Sequence, residues 1–222
     1  MKTPSRCRGL YAITDALLIP DDRLVDAVEQ AILGGARLIQ YRDKSTDPTR
    51  RLAQVRALNA MCRRHEVPLI VNDDVELAAQ AGAAGVHVGQ DDPAFAHARA
   101  RLGADALIGV SCYDRLDLAL AAADEGADYV AFGAFFPSPT KPTEIRAPIE
   151  LLRAARAALR VPVVAIGGIT PDNAPLLLET GADMLAVVSG VFGQPDIQVA
   201  ARRYATLISM RLPTTVDSAS MR

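Results

Sequence analysis

The sequence predicts an α/β chain folded as one (β/α)8 barrel of the TIM type, on three observations. Short apolar runs rich in Val, Ile, Leu or Tyr alternate with Ala-rich helical stretches along the whole chain. The runs are apolar at consecutive positions, as strands buried on both faces of a parallel sheet require. Four helix-to-strand junctions repeat a Gly-Ala pair: GGARLIQ (34–40), AGAAGVHV (81–88), EGADYVAF (125–132) and TGADMLAV (180–187). Glycine there suits a left-handed helix C-cap, and the small residue after it lets the chain turn tightly into the sheet.

In chain order the strands fall near 9–13, 37–41, 68–71, 85–88, 106–110, 128–132, 162–166 and 183–187. Helical patterns fill 22–33, 48–65, 74–81, 93–101, 114–124, 148–159, 171–179 and 195–210. Eight strand–helix units at short intervals favour a barrel over a doubly wound sheet. The 222 residues fit, because α/β barrels commonly run roughly 200–250 residues as one domain. No internal linker divides residues 1–210, which read as that domain, while 211–222 lack periodicity and read as a fraying tail.

Composition excludes several classes. Half the chain is apolar and 23% charged, with 15 Gly and 14 Pro, which is neither a disordered chain, a collagen nor a coiled coil. With 24 Lys+Arg against 26 Asp+Glu the net charge is −2, which argues against a general binder of nucleic acid or membranes. Cys7, Cys62 and Cys112 are odd in number and widely spaced, so they form no disulfide framework and no zinc site. No apolar run approaches the length of a membrane span. The N-terminus meets Asp15 before any long apolar stretch, unlike a signal peptide. A cytoplasmic protein is the expectation, and its oligomeric state is open.

The active site of such a barrel lies at the C-terminal ends of its strands, and those positions are polar here. After the second strand, Gln40, Arg42 and Lys44 share one face of an extended segment. Two cations in a barrel mouth cost desolvation unless an anion meets them; a solvated loop is the blander reading. The third strand ends in Asn72-Asp73-Asp74 and the fourth in Gln90-Asp91-Asp92-Pro93. Each acidic group can serve as a helix cap. Beside Arg42 and Lys44 they also suit Mg²⁺, which takes one or two carboxylates plus phosphate oxygens.

His87, inside an alternating strand, reads as a packed, hydrogen-bonded histidine rather than a catalytic one. Ser111 can bind a ligand, but no histidine is marked by sequence as its partner, which argues against a serine nucleophile. Cys112 has no activating signature and reads as structural. The longest break, after the sixth strand, carries Ser138, Thr140 and Lys141 among three prolines. That is stiff backbone with phosphate-binding groups. Gly167-Gly168 after the seventh strand and Val188-Ser189-Gly190 after the eighth occupy the usual phosphate position of such barrels. Two anionic sites thus share one mouth with no general base or covalent nucleophile between them. The pattern favours loss of a diphosphate and capture of the carbon by a second phosphorylated molecule.

GLYAITD, QYRDK, VNDDVELA, GVHVGQDD, GVSCY, GADYVAFGAFFPSPTK, VPVVAIGGIT and the VVSG end resemble the thiamine phosphate synthase family, in order, from about residue 9 to 192. The resemblance implies a TIM barrel that joins 4-amino-2-methyl-5-hydroxymethylpyrimidine diphosphate to thiazole phosphate, plain or carboxylated, with release of diphosphate. It implies that Gln40, Arg42, Lys44, Asn72, Ser111 and Lys141 hold the pyrimidine diphosphate, the neighbouring Tyr41 and Asp43 being counted with them. Asp73 and Asp92 are implied to bind Mg²⁺. Ser138, Pro139, Thr140, Gly168, Val188 and Ser189 are implied to take the thiazole phosphate. Arg42, Lys44, Lys141 and Ser111 are the implied catalytic groups. The family often has Thr where Ser138 stands and Ile where Val188 stands.

The implied reaction is dissociative. The cations stabilise the departing diphosphate, the aminopyrimidine spreads the positive charge, and the thiazole nitrogen attacks the methylene carbon. Three rivals are a thiazole tautomerase-like isomerase, a non-catalytic thiamine phosphate-binding protein and a phosphosugar isomerase or aldolase. The diphosphate grip disfavours the first and the acidic pair the second. The third needs a barrel lysine or an acid–base pair that the strand cores lack.

Overall fold

The protein, seen in a computed structural model, is described for residues 7–89, 95–138 and 145–211. Eight parallel strands close into a barrel in sequence order. They are β1 (Gly9–Ile13), β2 (Ala36–Tyr41), β3 (Leu69–Asn72), β4 (Gly85–Val88), β5 (Leu107–Tyr113), β6 (Tyr129–Phe132), β7 (Val163–Ile166) and β8 (Met184–Val187). The closing pair sets Gly9 against Met184 and Ala12 against Val187. Outside run α1 (Leu24–Leu33), α2 (Pro48–Arg64), α3 (Val75–Ala81), α4 (Phe95–Leu102), α5 (Leu116–Asp124), α6 (Glu150–Ala158), α7 (Ala174–Thr180) and α9 (Ile197–Ser209). Between β8 and α9 lies α8 (Ser189–Phe192), one turn for which the sequence pattern gives no sign. The other elements fall within a few residues of their predicted spans.

The alternation of strand side chains sorts the core into two layers. Tyr11, Leu38, Ile70, Leu107, Tyr129, Val164 and Met184 fill the barrel interior. Leu10, Ile39, Leu69, Val86, Ile108, Val130, Val163 and Leu185 face the helices. Room for Tyr129 comes from Gly109, where an added Cβ would lie 2.0 Å from the tyrosine ring. The junction glycines behave as the repeat predicts: Gly35, Gly82, Gly126 and Gly181 all have positive φ.

Two of those repeats carry a further device. In each Gly-Ala-Asp the aspartate accepts from one amide near the start of the adjacent strand: Asp128 Oδ2 from Ile108 N (2.9 Å) and Asp183 Oδ2 from Val163 N (3.0 Å). Arg99 Nη2 pairs with the same Asp128 oxygen at 2.7 Å. These aspartates sit at the barrel end away from the cavity. Asp128→Ala is therefore expected to lower unfolding free energy by about 1–3 kcal/mol in urea titrations, with KM values unchanged.

Candidate active site

At the C-terminal ends of the strands a cavity of about 510 Å³ opens into the barrel. Gln40, Arg42, Asn72 and Ser111 line it from one side, and Ser138, Gly168, Val188 and Ser189 from the other. Eight sequence-predicted residues thus meet in one space. Gln40 and Arg42 do so because they share the inward parity of β2.

Arg42 is held from β1. Its backbone N donates to Thr14 Oγ1 (2.9 Å), and its Nη1 donates to Asp15 Oδ2 (2.8 Å). Asp15 Oδ1 accepts from Leu17 N at 2.9 Å, which orients the carboxylate. The Asp15 side chain is 6% exposed and that of Arg42 20%. Sequence reasoning misses this positioning role of Thr14 and Asp15. The available signal is an acid placed at a strand end beside a cationic loop.

Tyr41 and Asp43 take the opposite parity and do not line the cavity, which corrects the expectation that they bind substrate. Tyr41 is buried in the helix-facing layer, its Oη 2.7 Å from Gln54 Oε1. Burial, reinforced by the neighbouring Asp43 carboxylate, pushes its phenol well above the ordinary range. Asp43 accepts from Ser45 N (2.8 Å) and Ser45 Oγ (3.0 Å) and pairs with Arg50. Arg50 also bridges to Asp21 at 2.8 Å. These contacts clasp the loop that follows Arg42. Lys44 is exposed on that loop, outside the cavity wall; the strand has ended, and with it the alternation that would have aimed the side chain inward.

Burial alone would raise the Asp43 pKa, but the Ser45 hydrogen bonds and the Arg50 charge outweigh it and hold the carboxyl below its usual range. A depressed folded-state pKa contributes stability that is complete above the unfolded value and is lost as pH falls through the folded one. The clasp is expected to loosen on acidification below about pH 4. Asp43→Asn should flatten that acid limb in thermal unfolding scans.

The end of β3 assigns separate tasks to three polar residues. Asn72 lines the cavity. Asp73 has φ 63°, with Asp74 N donating to Asn72 O at 2.7 Å, a γ-turn centred on Asp73. Asp74 caps α3 by accepting from Leu77 N and pairs with Arg51. The helix-cap role therefore falls to Asp74 and leaves Asp73 at the rim. The expected metal ligand Asp92, and with it Pro139, Thr140 and Lys141, lies outside the described residues. Among the described residues no group of three or more His, Cys, Asp or Glu gathers to hold a metal.

Along the cavity floor runs a chain of polar groups, four of which line it. Gln40 Nε2 donates to Tyr11 Oη (2.7 Å), which lies 2.8 Å from Tyr129 Oη. His87 Nδ1 lies 3.2 Å from Tyr129 Oη, and its Nε2 lies 2.8 Å from Ser111 Oγ. Burial drives the Tyr11 and Tyr129 phenols far above their ordinary range, so both stay protonated. His87 is packed and hydrogen-bonded as expected. Its contact with Ser111 is one that sequence spacing does not reveal. Among the described residues a phenol, not a carboxylate, stands on the other ring nitrogen, unlike the orienting acid of a serine-hydrolase triad. Cys112 is buried, its thiol pushed up to about 12 by burial, and Cys7, Cys62 and Cys112 are unbridged.

The opposite wall is backbone-rich. Phe136 N donates to Gly167 O at 3.1 Å, tying the β6 and β7 loops together. Gly168 has φ 60°, and a Cβ there would lie 2.2 Å from Pro137 O, so only glycine fits. Asn173 Nδ2 holds Gly168 O at 3.0 Å, and Tyr204 Oη donates to Ile169 O at 3.0 Å from α9. Ser189 opens α8 beside this loop.

The family described as thiamine monophosphate synthase matches residues 10–191. A thiamine-phosphate synthase of Thioalkalivibrio sulfidiphilus is 54% identical over 209 residues, 94% of this chain and 99% of that protein. One from an Azoarcus species is 55% identical over 205 residues, 92% of this chain and 98% of that protein. The solved structure of thiamine phosphate pyrophosphorylase from Pyrococcus furiosus superposes with a TM-score of 0.84 at 33% identity, covering 94% of this chain and 98% of that one. With its barrel and its cation-and-glycine cavity, the chain belongs to the thiamine phosphate synthase family of transferases.

Proposed function

We propose that the protein joins 4-amino-2-methyl-5-hydroxymethylpyrimidine diphosphate to 4-methyl-5-(2-phosphoethyl)thiazole, or its carboxylated form, giving thiamine phosphate and diphosphate, with carbon dioxide also released when the carboxylated form reacts. The observation that carries the reading is the single cavity in which Arg42 with Gln40, Asn72 and Ser111 faces the Gly168 and Ser189 loops. Gln40, Asn72 and Ser111 hold the pyrimidine, Arg42 and Lys141 meet its diphosphate, and Lys44 reaches the diphosphate from the exposed loop after β2. Ser138, Pro139, Thr140, Gly168, Val188 and Ser189 receive the thiazole phosphate. The ester C–O bond breaks with its electron pair leaving on diphosphate, and the thiazole nitrogen lone pair forms the new C–N bond. Arg42, fixed by Asp15, meets the developing charge without reorganising.

The rim carboxylate of Asp73 is a hard oxygen donor of the kind Mg²⁺ takes, and Asp92 is the proposed second ligand. When bound, the ion supplies charge neutralisation to the diphosphate oxygens. Among the described residues no helix is long and apolar enough to cross a membrane; we place the activity in the cytoplasm, acting on small phosphorylated molecules alone.

The test is condensation by purified protein with both substrates, with and without Mg²⁺, scored as thiamine phosphate. Product that depends on both substrates and falls on chelation is expected. A folded protein that makes none refutes the reading.

A further inference from the structure

The chain from Gln40 to Ser111 has a direction. Each phenol owns one proton. Gln40 Nε2 already donates to Tyr11 Oη, so Tyr11 must pass its own proton to Tyr129, 2.8 Å away. Tyr129 has then accepted one hydrogen bond and donates its proton to His87 Nδ1. A ring nitrogen that accepts fixes the neutral imidazole as its Nε2–H tautomer. Nε2–H accordingly donates to Ser111 Oγ, and the serine proton is left to point onward. In the reverse order Tyr11 Oη would receive two donors, and its own proton would face the Gln40 amide N–H. Tyr11 and Tyr129 are 1% and 0% exposed, and an unsatisfied buried hydroxyl there is costly.

Gln40, Tyr11, His87 and Ser111 line the cavity and Tyr129 lies behind them, so the two ends, Gln40 and Ser111, keep a polar group to offer a ligand. With Nε2 engaged by Tyr11, Gln40 has its Oε1 acceptor left to offer a ligand, and Ser111 its O–H donor. We infer that Tyr11, Tyr129 and His87 are positioning residues that lock the donor–acceptor polarity of the pyrimidine floor and so select an aminopyrimidine over its oxo analogue. The inference rests on the proposed function and deepens it. A 4-amino ring gives a donor to Gln40 Oε1 and a ring-nitrogen acceptor to Ser111. The 4-oxo ring replaces the amine by a carbonyl acceptor and carries N–H at the neighbouring nitrogen, which inverts the pattern. The rings are nearly isosteric, so shape alone discriminates poorly, whereas unpaired buried polar groups discriminate well. The rigidity of the relay is built into the packing. Tyr11 and Tyr129 meet edge-to-face at 5.8 Å, and His87 stacks on Tyr129 at 5.6 Å.

The experiment is calorimetric binding of the 4-amino and 4-oxo pyrimidine diphosphates in Mg²⁺ buffer without the thiazole. A CH2 replaces the bridging ester oxygen of each ligand, so that no bond breaks. Wild type is expected to bind the amino ligand about 100-fold more tightly than the oxo ligand. Tyr129→Phe keeps the ring and removes the hydroxyl, freeing His87 to take either tautomer, and should cut the ratio roughly tenfold. Tyr11→Phe, which releases the Gln40 amide, should do the same and serves if Tyr129→Phe does not fold. A purely structural role would weaken both ligands by one common factor and leave the ratio unchanged; that result in a folded variant, or equal affinities in wild type, overturns the inference alone. Binding of neither ligand by wild type overturns the proposed function with it.

Discussion

Arg42→Met is expected to lower kcat/KM by about 10²–10³-fold, because in the proposed reaction it removes a fixed donor that meets the charge growing as diphosphate departs. It should also cost stability. Arg42 Nη1 is the 2.8 Å partner of Asp15, whose side chain is 6% exposed, and a buried carboxylate stripped of its cation is penalised by about 3–5 kcal/mol. The two effects separate in a double variant. Arg42→Met with Asp15→Asn should recover much of the lost stability in thermal unfolding, while kcat/KM stays low. Asp15→Asn alone should retain measurable turnover with a raised KM for the pyrimidine diphosphate, since the guanidinium remains but its aim is looser. A double variant that recovers activity along with stability would mean that Arg42 serves the fold and not the reaction.

Gly168→Ala is expected to raise KM for the thiazole phosphate by about 10–100-fold and to change KM for the pyrimidine diphosphate little. Two independent constraints act at that position. A left-handed φ of 60° costs an L-residue roughly 1–2 kcal/mol. The added methyl would meet Pro137 O at 2.2 Å, a backbone atom that gives way only by moving the β6 loop. Because Asn173 holds Gly168 O and Tyr204 holds Ile169 O, the strain cannot be shed by the β7 loop alone. The two KM values, measured with the other substrate saturating, read this directly. Equal rises in both would point to general loosening of the barrel.

The reasons some features were legible in the sequence, and others not, are physical. Strands were readable because a parallel barrel buries both faces, which leaves consecutive apolar runs such as PLIV and PVVAI. The shared face of Gln40 and Arg42 followed from strand periodicity, and failed at Lys44, where the Asp43–Arg50 clasp has already turned the chain. The same periodicity placed Tyr41 and Asp43 on the outer face, against the expectation that they touch substrate. The four residues of α8 are too few to show a helical period. Tyr11 and Tyr129 hide inside apolar runs and read as core; only the need of a buried phenol for a partner hints otherwise. Pairings across the barrel, such as His87 with Ser111, depend on closure, and no local window contains them.

Closure also sets a schedule for biogenesis. β1 finds its second neighbour only when β8 exists, and the glycine loop after β7 is braced by Tyr204 in α9. A nascent chain emerging at about 5–20 residues per second therefore carries an exposed, unsealed sheet until its final helices leave the ribosome, and the far wall of its cavity is braced only at the end of translation.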